Sequence, residues 1–294
     1  MRIIEPHQLH QKAAKRSGRS NRRGRKAFSL VLLVLVMSGL VWQIIHAQES
    51  SPLVPPSSAA VTPVIAPEPA APPAPPRLRI FTSAEFRDLY NVFAYPNTAE
   101  IISPPGITGN ATADIRIRTI AMQRGYRLRS VPVAPLSQTA EGFPLQEKAV
   151  APWQELKNNA AKEGINLGLV STFRSVDEQR LIFAQRLRAT GASVEAVAAG
   201  TADTQVDFVL KSTSIPGYSR HHTGYAVDFK CGNDDFNFFA NTSCFAWLNK
   251  NNYENAKKSG WIPSYPPGID NQGPDPEAWE YVWVSAQTLL EKDN

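Results

Sequence analysis

Ten prolines fall within residues 52–76, PLVPPSSAAVTPVIAPEPAAPPAPP, and they decide where this chain can build a core. Proline fixes φ and lacks an N–H donor, so the segment forms neither helix nor ladder. It stands instead as a stiff spacer, about 3.1 Å per residue in polyproline II and roughly 80 Å when fully extended. Everything able to pack lies C-terminal to it, from Leu78 onward, where the composition turns globular.

The N-terminal side is not a domain either. Residues 1–27 carry nine Lys/Arg against one acid, Glu5, and the following run, AFSLVLLVLVMSGLVWQIIHAQ (27–48), contains no Asp, Glu, Lys or Arg. A spanning helix needs about 20 mainly apolar residues, and excess positive charge before it keeps the N-terminus inside. The pattern predicts a basic cytoplasmic tail (1–27), a single-pass membrane anchor (28–47), an extracytoplasmic linker (48–77) and an exported C-terminal part. A signal peptide cleaved near Ala47 is the rival, opposed by Ile45 where a small residue is preferred. Outside the tail, 22 Lys/Arg stand against 25 Asp/Glu, so the pI of 9.2 belongs to the tail and speaks against a nucleic-acid-binding domain. Cys231 and Cys244 are the only cysteines. An even pair in an oxidising compartment points to a disulfide; free thiols remain open, and the separation matches no zinc knuckle.

The rest is expected to hold an N-terminal subdomain of unassigned role (78–147) and a second domain (148–294), a division that rests on the family resemblance given below. In the first, Ile115, Ile117, Ile120 and Ala121 trace a helix face that Gly125 ends, and Tyr126–Arg129 alternates as a strand. In the second, 149–163 reads as a helix and INLGLVSTF (165–173) as a buried strand. Ser175 and Glu178 make a capping box before a further helix. GYAVDFK (224–230) alternates with Tyr225, Val227 and Phe229 on one side and Ala226 and Asp228 on the other. Residues 243–258 read as helix, and 261–264 and 281–285 as short strands. Helices mixed with short strands imply an α+β fold, a small mostly antiparallel sheet flanked by helices.

The stretch SRHHTGYAVDF (219–229) concentrates the chemistry. His221 precedes a strand and Asp228 lies on it, so imidazole and carboxylate can converge at the strand's edge, a normal zinc donor pair. A polar turn with a capping aspartate reads equally well from these residues alone. His222 points away from His221 if the backbone is extended there.

Ser219-x-His221-x-x-Gly224-x-Ala226-x-Asp228 resembles the S-x-H-x-x-G-x-A-x-D signature of VanY-type D-alanyl-D-alanine carboxypeptidases, in the lysostaphin, D-Ala-D-Ala peptidase and hedgehog group. STFRSVDEQ (171–179) resembles that family's S-x-Y-R-S-x-x-x-Q block. SYPPGIDNQGPDPEAWEYVWV (264–284) resembles its closing Y-P…E-P-W-H-x-R-Y-V segment. The resemblance implies a carboxypeptidase/hedgehog-like fold, with zinc on His221 and Asp228 and Glu277 as general base. It makes Arg174 the anchor for a peptide's terminal carboxylate and places Gln179 and Ser219 along the substrate pocket. It also implies peptidoglycan stem peptides as substrate, cut at a terminal D-alanine in a D,D- or L,D-linkage.

The last block departs from the pattern. Where the family has Glu-Pro-Trp-His, with that histidine the third ligand, this chain has Glu277-Ala278-Trp279-Glu280, and Val282 replaces the arginine that follows. The remaining histidines, His7, His10 and His46, sit in the tail and the apolar run. Three readings stay open. Glu280 takes over as ligand, its harder oxygen relaxing selectivity from zinc towards manganese. Alternatively, the site binds little metal and the protein only holds stem peptides. In the third, His222 or another group completes the site.

Overall fold

The computed structural model describes residues 77–291. The basic tail, the apolar run at 28–47 and the linker up to Pro76 lie outside the described residues, among which no helix is long and apolar enough to cross a membrane.

Along the chain, α1 (Ser83–Val92), β1 (Thr98–Ala99) and α2 (Ala111–Gln123) come first. Three short strands follow, β2 (Val131–Pro132), β3 (Ser137–Gln138) and β4 (Pro144–Leu145), and then α3 (Glu147–Lys162). β5 (Leu167–Ser171) leads to α4 (Val176–Ala189), α5 (Val194–Ala198) and α6 (Asp203–Leu210). A 3₁₀ turn, Arg220–Thr223, opens onto β6 (Ala226–Cys231). Last come α7 (Ser243–Lys258), β7 (Trp261–Pro263) and β8 (Glu280–Trp283). β5, β6, β8 and β7 form one antiparallel sheet in that spatial order, while β1–β2 and β3–β4 pair as two-residue ladders. The fold is α+β.

Alternation along β6 does what the sequence requires. Val227 and Phe229 enter the core, where Phe229 lies 5.5 Å from Trp153 of α3 and 5.0 Å from Tyr281 of β8 between ring centroids. Asp228 points to the opposite face, beside His221. The capping box also forms: the Ser175 hydroxyl accepts the Glu178 N–H, and the Glu178 carboxylate accepts the Ser175 N–H. Cys231, at the end of β6, is disulfide-bonded to Cys244 at the start of α7.

Both buried clusters mix residues from 78–147 with residues from the C-terminal part. α1 adds Phe86 and Tyr90 to the core of the sheet, α3 and α7. α2 adds Ala113, Ile117 and Ala121 to a second cluster with Phe183 and Leu187 of α4, Val197 of α5 and Val206 and Val209 of α6.

Three local expectations change. Ile115 is exposed, because α2 buries the face carrying Ala113, Ile117 and Ala121. Tyr126–Arg129 forms no ladder; the Tyr126 hydroxyl instead donates to Leu210 O and the Arg129 N–H to Gly217 O. Finally, α7 breaks at Lys250, and Asn251, Asn252 and Tyr253 take φ of 51°, 59° and 61°. Asparagine tolerates this left-handed region, and here the break has a purpose. Asn252 bonds both the N–H and the C=O of Phe81 (2.9 and 2.7 Å), while Lys257 Nζ donates to Arg79 O (2.6 Å). The start of the described chain is thereby clasped to the domain.

Candidate metal centre

The 3₁₀ turn carries His221 to the open face of β6. Ser219, buried, precedes the turn, and Gly224 closes it at φ 73°, with its N–H on His221 O. That left-handed φ favours glycine, and a Cβ there would come within 3.1 Å of both Gln146 Cγ and Leu136 Cδ2. His221 Nδ1 lies 2.5 Å from Thr172 O. A carbonyl only accepts, so Nδ1 carries the proton and Nε2 is turned towards the acids. It stands 3.4 Å from Asp228 Oδ1 and 3.4 Å from Glu280 Oε2. Asp228 and Glu280 are register partners across β6 and β8. One ligand atom from each of the three buried residues lies within 4.8 Å of the others.

Two carboxylates paired directly across a ladder repel, and these sit where water cannot screen them. Burial opposes charge on His221, but Asp228 and then Glu280 outweigh it and lift the imidazole to about 10. Burial also disfavours the Glu280 charge, yet His221 and Arg220 overcome this and hold the carboxyl below its usual range. Glu277 lies beside them, where the chain turns into β8 with the Glu280 N–H on Glu277 O. Burial first, then the charges of Glu280 and Asp228, push its carboxyl well above the ordinary value.

These residues fit a divalent cation. Donors about 2.0–2.2 Å from a tetrahedral ion stand roughly 3.4 Å apart, which is the spacing of His221 Nε2 from each acid. Asp228 Oδ1 is buried with no hydrogen-bond donor.

The β5–α4 loop is stitched to the histidine turn. The Arg174 N–H reaches His221 O (3.3 Å), and His222 Nδ1 lies 2.6 Å from Arg174 O. The Gly217 N–H donates to His222 Nε2 (3.0 Å), so both ring nitrogens of His222 are committed to the backbone and neither is free for a metal. Burial pushes His222 down to about 4. The half-buried Arg174 guanidinium is aligned by Gln179 Oε1 (2.9 Å) and Ser171 Oγ (3.3 Å). The Gln179 amide nitrogen donates to Ser214 O, so both ends of this buried amide are bonded within the fold, one of them to Arg174.

Residues 143–286 match the family model described as VanY, D-alanyl-D-alanine carboxypeptidase. This part of the chain is a VanY-type domain. Among curated proteins, the provisionally named carboxypeptidase YodJ of Bacillus subtilis (strain 168) is 30% identical over 127 residues, 42% of this chain and 39% of YodJ, so the match spans well under half of that relative. Among solved structures, VanYB in complex with D-alanine-D-alanine is 21% identical, covering 56% of this chain and 81% of its own, with a TM-score of 0.38. The LdcB LD-carboxypeptidase is 23% identical over 53% and 69%, with a TM-score of 0.39.

Within the VanY-type domain, the structure brings His221, Asp228, Glu277 and Glu280 together. Around them stand residues that sequence reasoning missed. Arg220 is buried over the rings of Tyr90 and Tyr265, and Thr172 orients His221 through a backbone carbonyl. Thr172 acts only through its main chain, and Tyr90 lies 130 positions from Arg220, so no local spacing marks either residue.

Proposed function

We propose that this chain is a metal-dependent carboxypeptidase that hydrolyses a terminal D-alanine from peptidoglycan stem peptides. The observation that carries the reading is the convergence of His221, Asp228 and Glu280 at metal-ligand spacing, with Glu277 alongside. His221, Asp228 and Glu280 would hold one divalent ion, zinc by the donor set, with manganese favoured more than in a site of two histidines. Such an ion would polarise the scissile carbonyl and acidify water.

The chain's own groups supply the rest. Glu277 accepts the proton of the attacking water and returns it to the leaving amine as the C–N bond breaks and the new C–O bond forms. Arg174, held flat by Gln179 and Ser171, presents two parallel N–H donors to the substrate's terminal carboxylate. That capture makes removal of the last residue the natural outcome. Ser219, buried at the start of the histidine turn, would line the substrate pocket. The apolar run at 28–47 anchors the chain in the membrane with its N-terminus inside, and the proline-rich linker extends the domain towards the wall.

A second reading, binding of stem peptides without turnover, draws on the glutamate at position 280. Metal analysis of the full chain and incubation with muropeptides ending in D-alanine separate the two. The enzyme reading expects about one ion per chain and released D-alanine. Peptide binding with neither metal nor release supports the second reading and ends the first.

A further inference from the structure

Glu280 is a charged group where two histidines and an aspartate would put a neutral one, and a buried cation stands behind it. Arg220 Nη1 lies 3.6 Å from Glu280 Oε1; both side chains are about 5% exposed, and neither atom has a hydrogen-bond partner. The other carboxylate oxygen, Oε2, is the one facing His221. The glutamate is thus divided, with one oxygen towards the metal-ligand cluster and one towards the guanidinium.

The setting of Arg220 holds it to that task. Its guanidinium lies 3.6 Å from the Tyr265 ring centroid and 4.8 Å from that of Tyr90, and Nη2 donates to Gln272 O (3.0 Å). Tyr90 comes from α1, in the segment N-terminal to the VanY-type domain. A buried arginine between two rings has little freedom to swing, and the ring faces favour its charge.

Charge counting shows what this arrangement does. Two neutral histidines with one aspartate make a ligand set of one negative charge. His221, Asp228 and Glu280 make two, and adding Arg220 returns the set to one. We infer that Arg220 is a positioning residue for the metal centre. It neutralises Glu280 and occupies its outer oxygen, so that this carboxylate serves as a single-oxygen ligand in a histidine's place. The inference rests on the metallopeptidase reading and adds that position 280 and position 220 work as one unit. It also assigns a role to the segment before the VanY-type domain, whose Tyr90 helps to hold the counter-charge.

The test is zinc affinity of the full chain, measured by competition with a chromophoric chelator, with folding followed by circular dichroism. Arg220→Gln is expected to weaken zinc roughly 10–100-fold, and Arg220→Lys, which keeps the charge, to recover a good part of that loss. Glu280→His alone sets a guanidinium against an imidazole and is expected to bind zinc more weakly than the unaltered chain. Adding Arg220→Gln to Glu280→His is then expected to tighten zinc, the opposite sign to its effect beside Glu280. The same sign in both backgrounds, or a change under about threefold beside Glu280, overturns the inference. If Arg220→Gln does not fold, Glu280→His decides: zinc held as tightly as by the unaltered chain shows that no counter-charge is needed. No zinc uptake by the unaltered chain overturns the metallopeptidase reading together with this one, a result distinct from zinc uptake without sign reversal.

Discussion

Asp228 and Glu280 stand directly opposite each other on neighbouring antiparallel strands, two buried acids with His221 Nε2 3.4 Å from each. Positive charge offsets the repulsion within such a pair; His221 and Arg220 supply it within the chain, and a divalent ion would supply it more fully.

Removing one acid should therefore separate binding from catalysis. Glu280→Gln keeps the shape of the side chain but discards its charge, and metal affinity is expected to fall about 100-fold or more. Glu277→Gln should retain the metal while D-alanine release falls by about 10²–10⁴. Metal analysis beside a release assay checks both. Metal loss in the Glu277 variant would place that residue among the ligands.

Without metal, stability should depend on pH in a stated direction. His221 has its folded pKa raised to about 10 from an ordinary 6.5. Its contribution is fully present below about 6.5 and is lost as pH rises through about 10, because the folded chain binds a proton that the unfolded chain has released. Metal binding must displace that proton, so metal-induced stabilisation should grow over the same range. Denaturant titrations of chelator-treated and zinc-loaded protein at pH 6.5 and 9 test this. A metal-free chain that gains stability towards pH 9 contradicts it.

Arg174→Lys keeps the charge and loses the planar fork. Stem-peptide hydrolysis should drop through KM more than through kcat, and Arg174→Ala should cost more, about 2–5 kcal/mol if the captured carboxylate is desolvated. A substrate amidated at its C-terminus should be poor for the unaltered enzyme and should not be made worse by Arg174→Ala. Steady-state kinetics on the free-acid and amide peptides decide the point.

The Cys231–Cys244 disulfide joins the end of β6 to α7, on the core side of the fold. Replacing both cysteines by serine should lower unfolding free energy by about 3 kcal/mol, the loop-closure value for a crosslink of this span. Zinc affinity should change little, since neither cysteine touches the ligand set. Equilibrium unfolding with a parallel chelator competition measures both quantities.

Much of the site was legible because its signals are local. Ser219, His221, Gly224 and Asp228 lie within ten residues, and each has a backbone reason to be where it is: a turn, a left-handed glycine, an alternating strand. The capping box at Ser175 and Glu178 was equally local. The break in α7 was not. Asn251–Asn252 reads as ordinary helix until the backbone of Phe81, 171 residues away, is seen to bond both Oδ1 and Nδ2 of Asn252. Residues 126–129 misled for a similar reason, since a strand needs a partner and alternation alone does not provide one.

The sequence by itself determined that the fold mixes helices with a small sheet and that Asp228 lies on the strand face opposite Val227 and Phe229, with His221 just ahead of that strand. The third ligand stayed open between Glu280, His222 and a site that holds little metal. Strand alternation and local turn signals need no distant contact. Only the tertiary structure decided how Glu280 is used. The β6–β8 register brings it opposite Asp228, and the packing of α1 and Tyr265 around Arg220 sets a positive charge behind it. Charge balance in a buried site depends on which groups are near in space, and chain order does not record that.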